Sequence, residues 1–349
     1  MPIDVVVIGG GVAGLSAAAR LAAEGARVLL AEARPGLGGR AASFSDPATG
    51  EMVDNGQHLL LGCYRETFEF LDRIGARGKV RVQPSLEVPI VDRDGRLTTL
   101  RCPALPPPWH LLAGIVKWQA IGVRDRLSAL RLAGAVRAAQ RFGLAGQGAF
   151  PAAESETVEQ WLIRHGQRPA LREMLWEPLA LAALNQPART ASAAVFLRVL
   201  ARMFGPARAD SAIAVPIEPL TAMYGEPARA FIESSGGEVR VSSPARVRIA
   251  GRQVTEIEIR GGRVTASTAI VAVPWHALRE TVVGDAREMA PILAAAEAMA
   301  ACPIVTANLW FDRPVLPAPF VGLPGRTFQW AFDKRQVLGG SAAHLSLVS

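Results

Sequence analysis

The stretch Val5-Val-Val-Ile8-Gly9-Gly-Gly11-Val-Ala13-Gly14 decides the fold. Four consecutive apolar residues read as a parallel strand buried on both faces. The glycines follow at once with the spacing G-x-G-x-x-G. Leu15 to Glu24 then has helical composition, Gly25 ends it, and Arg27 to Ala31 reads as a second strand ending at Glu32. A glycine loop between a strand and a helix, with an acid about 20 residues on, is the signature of a dinucleotide-binding βαβ unit. Gly9 permits the tight turn, Gly11 lets the backbone approach a pyrophosphate, and Gly14 lets helix and strand pack closely. Free N–H groups and the dipole at the helix start favour the phosphates. Glu32 can accept from ribose hydroxyls and would repel a 2′-phosphate, which disfavours NADP.

Working outward, Arg34-Pro-Gly-Leu-Gly-Gly39-Arg40 continues from the second strand, and Asp54-Asn-Gly56-Gln57-His58 follows it. A guanidinium suits a pyrophosphate because its fork meets two phosphate oxygens at once. Gly56 would permit close backbone approach to a ligand. His58 has two readings: a donor to a cofactor or substrate oxygen, or a polar residue starting a helix through Leu59-Leu-Leu61.

The bulk properties bound the rest. The chain has 349 residues, half of them hydrophobic and a net charge of +7, which suggests about two domains with a large core. The cations are nearly all arginine; the lysines are Lys79, Lys117 and Lys334. Such an excess fits an acidic cofactor, a pyrophosphate-bearing substrate or an anionic membrane surface. There is no basic run with interleaved aromatics, so nucleic acid is not expected as a partner. Cys63, Cys102 and Cys302 are far apart, which argues against a disulfide framework and a zinc site and for a reducing, cytoplasmic compartment. No signal peptide is read at the start, and no stretch reaches the roughly 18 apolar residues of a membrane span. Leu105–Val123 comes nearest, and with Trp109, Trp118 and Lys117 it suits either peripheral contact with the inner membrane or a buried helix.

Glu87 to Val91 and Arg96 to Leu100 around Asp94-Gly95 read as a hairpin. Residues 103–205 read as a helical insertion: Thr157 and Gln160 form a capping box, Pro169 suits a first helical turn, and Ser192 caps the helix through Val195 and Leu200. After Pro216 come a helix over 222–235, a short strand at Val239–Val241, a meander over 246–266, and a buried strand over 269–273. Val305–Phe311 and Phe328–Phe332 read as strands of a further sheet.

The glycine pair with Arg40 resembles the second glycine signature of the amine-oxidase and phytoene-desaturase-like flavoproteins. Four segments are closer to hydroxysqualene dehydroxylases, also called squalene-associated FAD-dependent desaturases. They are Asp54 to Thr67, Leu105 to Leu112, Trp176-Glu-Pro-Leu-Ala-Leu-Ala-Ala-Leu-Asn185, and Ala269-Ile-Val-Ala-Val-Pro274. The resemblance covers nearly the whole chain. It implies FAD as cofactor and an α/β fold: a Rossmann-type FAD-binding domain (glutathione-reductase-like, GR2-type) over 1–75 and 216–275. An inserted α+β substrate domain would take 76–215 and 276–349. The cofactor-binding residues it implies are Gly9, Gly11, Ala13, Gly14, Glu32, Gly39, Arg40, Gly56, Gln57 and Ala245.

The implied reaction is reductive removal of the hydroxyl of hydroxysqualene to give squalene, in hopanoid biosynthesis. The partner is a lipophilic substrate, with upstream squalene-pathway enzymes as candidate neighbours. The catalytic acid is open among His58, Asp54 and Glu177. Trp109, Trp118, Trp161, Trp176, Phe196 and Phe204 are candidates for the wall of an apolar tunnel or for ordinary core. The alternatives are a carotenoid-type desaturase running hydride the other way, and an amine oxidase. The group closes with a Gly-Asp pair ahead of a helix near the C-terminus, and this chain ends at His344-Leu-Ser-Leu-Val-Ser349. The expectation is therefore an absent flavin-closing segment, with a truncated, non-catalytic FAD-binding protein as a further alternative.

Overall fold

The computed structural model describes residues 3–145, 150–339 and 343–349. They form two compact units. The first comprises Met1–Asn55, Glu66–Val80 and Pro216–Ala301; the second comprises Gly56–Arg65, Arg81–Val215 and Cys302–Ser349.

In the first unit the strand Val5–Ile8 lies between Val28–Ala31 and Thr268–Val271, and Glu238–Arg240 pairs outside Val28–Ala31. All these pairings are parallel. The helix Val12–Ala23 buries Leu15, Ala18, Ala19 and Ala22 and packs against both inner strands and the helix Glu226–Ser234. A second sheet runs Gly262–Val264, Gln253–Ile259, Ala245–Ala250, Val282–Asp285. Its Val247, Ile257, Ile259 and Val282 form one core with Val6, Ile8, Leu29 and Ala31. The central strands thus have a covered layer on either side, which is why they are continuously apolar. The meander read over 246–266 is present as two antiparallel pairings.

Residues 276–301, read above with the substrate domain, fold with this unit instead. The cause is Val282–Asp285, which pairs in parallel with Val247–Ala250 and carries its flanking helices with it.

The second unit holds a six-stranded sheet in the order Thr306–Phe311, Ala343–Val348, Trp330–Asp333, Phe320–Gly322, Glu87–Val91, Leu97–Arg101. The hairpin has the register Glu87↔Arg101 to Val91↔Leu97. The helical insertion packs around Trp161, Leu162, Leu171, Phe196, Leu197 and Leu200, all fully buried. Its starts follow local chemistry. Thr157 and Gln160 form the reciprocal capping box, Pro169 opens its turn, and the Ser192 hydroxyl accepts from Val195 N. Trp118, Trp161, Trp176 and Phe196 are close-packed core, and the Trp176 indole N–H donates to Gln167 Oε1 at 2.9 Å. Of the tunnel-wall aromatics, Trp109 is exposed and Phe204 half-buried. Among the described residues no helix is long and apolar enough to cross a membrane.

Candidate functional site

The glycine loop is shaped by the strands around it. Gly9 has φ +111°, and a Cβ there would lie 2.6 Å from the Ala272 carbonyl oxygen. A Cβ on Gly14 would collide with the Gly9 carbonyl oxygen. Gly11 differs: its φ is −73° and a Cβ would meet no atom within 4 Å. The helix Val12–Ala23 starts at Gly11 with no side-chain cap and no acid in its first turn. Its first N–H groups, Ala13 and Gly14 among them, have no intrahelical acceptor and carry the positive end of the dipole. An open approach to such a helix start suits an anion.

The second glycine segment lies against the first. Gly38 N donates to Gly10 O at 2.8 Å, and Gly38 and Gly39 have φ of +102° and +62°. A Cβ on Gly39 would stand 3.1 Å from Gly11 Cα. Leu37 is buried and fills the space beside Gly10 and Gly225. Arg40 follows, exposed and making no ion pair among the described residues.

Glu32 stands at the edge of this cradle, nine-tenths buried. Its Oε2 accepts from Gly10 N at 2.6 Å and its Oε1 from Arg34 N at 2.8 Å. Each carboxylate oxygen keeps a lone pair for a further donor such as a ribose hydroxyl. Ser243 N and Ser242 N donate to the Glu32 and Arg34 carbonyls, and Ala245 begins the strand just beyond. The first unit thus gathers Gly9, Gly11, Ala13, Gly14, Glu32, Gly39, Arg40 and Ala245. The donor set fits a dinucleotide: an uncapped helix start, a free arginine, and a held carboxylate.

The remaining candidates divide. Asp54, in the first unit, is buried. Its Oδ1 accepts from Ser43 Oγ at 2.7 Å and from Leu220 N at 3.0 Å, and the Thr221 hydroxyl accepts from Ser43 N. It joins three distant segments of backbone. Gly56, Gln57, His58 and Glu177 belong to the second unit. A Cβ on Gly56 would meet only Thr306 Oγ1, at 3.7 Å. Gln57 Oε1 accepts from the buried Lys334 ammonium at 2.6 Å. His58 precedes the short strand Leu60–Leu61, which pairs with Ile213–Ala214; the helix-start reading of that segment is therefore corrected. Glu177 opens the helix Glu177–Leu184. Burial pushes its carboxyl above the usual range, against the opposing pull of Arg172 and with Glu159 and Glu173 adding to the rise.

Sequence reasoning missed Ser43, Thr221 and Lys334. Leu37 could have been found, as an apolar residue stranded inside a glycine-rich turn.

With this cradle in view, one comparison decides the family: the model described as flavin containing amine oxidoreductase matches residues 12–348. The chain belongs to this family. It is an FAD-dependent oxidoreductase. Among its relatives, the hydroxysqualene dehydroxylase of Zymomonas mobilis is 26% identical, over 97% of this chain and 77% of that protein. The one from Sinorhizobium fredii is 28% identical, over 97% and 75%. A 15-cis-phytoene desaturase of an Oncidium hybrid is 26% identical, over 89% and 53%. Among solved structures, an oxidoreductase from Methanosarcina mazei superposes with a TM-score of 0.74 at 15% identity, covering 99% of this chain and 78% of that one. It shares the Rossmann-type fold of this flavin-containing oxidoreductase.

Proposed function

We propose that this flavoprotein reductively dehydroxylates a C30 isoprenoid alcohol, hydroxysqualene, to squalene. The observation that carries this reading is the similarity to two hydroxysqualene dehydroxylases along 97% of the chain. The proposed cofactor residues are those of the cradle, together with Gly56 and Gln57 as the resemblance implies. Gly11, Ala13 and Gly14 receive the pyrophosphate at the helix start, Arg40 clasps its far side, and Glu32 holds the ribose.

Bound FAD, once reduced, supplies hydride chemistry. The allylic C–O bond breaks, a C–H bond forms, and the hydroxyl departs as water after taking a proton. The chain's own part is to hold that proton, keep water out and position the alcohol. Glu177 is one proton-holding candidate, its carboxyl pushed above the usual range by burial. His58 is the other proton-holding candidate. Asp54 is engaged with Ser43 and Leu220 and is better read as a structural tie.

A second reading is supported by the phytoene desaturase similarity over 89% of the chain: a desaturase in which hydride leaves the substrate. The test is anaerobic. The purified chain, loaded with FAD and chemically reduced, is mixed with hydroxysqualene, and the products are read by gas chromatography–mass spectrometry. Squalene is expected. Flavin-loaded protein that yields none, yet has its oxidised flavin bleached by a carotenoid precursor, would replace the first reading with the second.

A further inference from the structure

The helix Trp109–Lys117 turns His110, Leu111, Gly114 and Ile115 inward. Its other face carries Trp109, Leu112, Ala113 and Val116, at the i, i+3, i+4, i+7 spacing of one stripe. The outward stripe of such a helix is ordinarily polar. Here Trp109 is 60% exposed, whereas Trp118 is 2% exposed. The next helix, Val123–Ser128, repeats the pattern: Val123, Leu127 and the following Leu130 are exposed at i, i+4, i+7. The two helices are tied by Arg126 Nη1, which donates to the Val116 carbonyl at 2.6 Å.

The chain around this face is cationic. Residues 103–145 contain six cations (Lys117, Arg124, Arg126, Arg131, Arg137 and Arg141) and a single acid, Asp125. Asp125 is itself neutralised by Arg168 at 3.2 Å.

We infer that this two-helix face docks on an anionic lipid bilayer. Trp109, Val116, Val123 and Leu127 enter the headgroup–acyl boundary, and the surrounding arginines meet lipid phosphates. A second copy of the chain is a poorer occupant, because a two-fold contact would set two strongly cationic stretches against each other. The inference goes beyond the proposed reaction and stands independently of it.

The test is co-sedimentation of the full FAD-loaded chain with vesicles. Phosphatidylcholine alone is compared with a phosphatidylcholine–phosphatidylglycerol mixture, at low and high salt. Binding to the mixture is expected, weakened by salt and by removal of the anionic lipid. The triple variant Trp109→Ser/Val116→Ser/Leu127→Ser should bind at least about ten-fold more weakly, with circular dichroism and flavin absorbance unchanged. Arg124→Gln and Arg131→Gln should each weaken binding by about five-fold, on anionic vesicles only. Failure to sediment with anionic vesicles, or equal binding by the triple variant, would overturn the inference. So would a dimer, seen by light scattering, that the triple substitution splits.

Discussion

A methyl group added at Gly11 meets nothing within 4 Å, while one added at Gly14 strikes the Gly9 carbonyl. The two glycines therefore answer to different demands. Gly14 serves helix–strand contact, so Gly14→Ala should lower the melting temperature of the protein even without cofactor. Gly11 already has a φ that alanine adopts readily. Gly11→Ala should leave the apoprotein melting curve in place and lower its flavin content, because the added methyl points where a phosphate must come close. Thermal melts of flavin-stripped protein, beside absorbance of the reconstituted protein, separate the two. A Gly11→Ala protein that is fully yellow would remove Gly11 from the cradle. This division was half legible in the sequence. The spacing of Gly9, Gly11 and Gly14 announces a backbone constraint that acts within ten residues. The environments of the acid candidates were not legible, because burial and pairing are set by the fold. Only the folded chain shows Asp54 engaged by Ser43 and Leu220, and Glu177 pushed upward by desolvation.

Elements show a different limit. Apart from His110 and Lys117 the helix Trp109–Lys117 is apolar, so its periodicity cannot say which face is inward. The sequence could not tell that Trp118 packs into the core while Trp109 faces out. Capping chemistry is local and was readable, as at Thr157, Pro169 and Ser192. The same helix buries His110, whose Nε2 lies 3.1 Å from Ser211 Oγ. Burial first, and Arg208 second, hold this imidazole below its ordinary range. The unfolded chain then takes up a proton near pH 6.5 that the folded chain refuses. Stability should fall as pH drops below that value, by at most about 1.4 kcal/mol per pH unit from this group. Urea unfolding at pH 5.5 and 7.5 should give a lower midpoint at the acid end. In His110→Gln the gap should narrow; an unchanged gap would assign the acid sensitivity to other groups.

At the scale of the whole molecule, the first unit is assembled from three separated stretches of chain. The proposed cofactor cradle is built in large part from backbone amides, so cofactor binding should be visible as amide protection. FAD added to the stripped protein should slow hydrogen exchange in peptides covering residues 9–15 and 36–41. It should also raise the melting free energy by about 2.7 kcal/mol at a hundred-fold excess over Kd. Exchange unchanged in those peptides while flavin binds elsewhere would displace the site. The broad architecture was legible because buried strands and glycine turns write themselves locally. The return of residues 276–301 to the first unit was not, since it depends on Val282–Asp285 pairing with a strand some thirty-five residues earlier.

The turn at Gly9 leans on Ala272, and Val5–Ile8 is flanked on one side by Thr268–Val271. On the ribosome these partners emerge far apart in time. At 5–20 residues per second the nascent glycine loop waits roughly 10–50 s for its neighbouring strand. Throughout that interval Val5–Ile8 has an open strand edge, of the kind that invites wrong pairing and draws chaperones. Full ordering of the glycine turn should therefore follow the emergence of Thr268–Ala272.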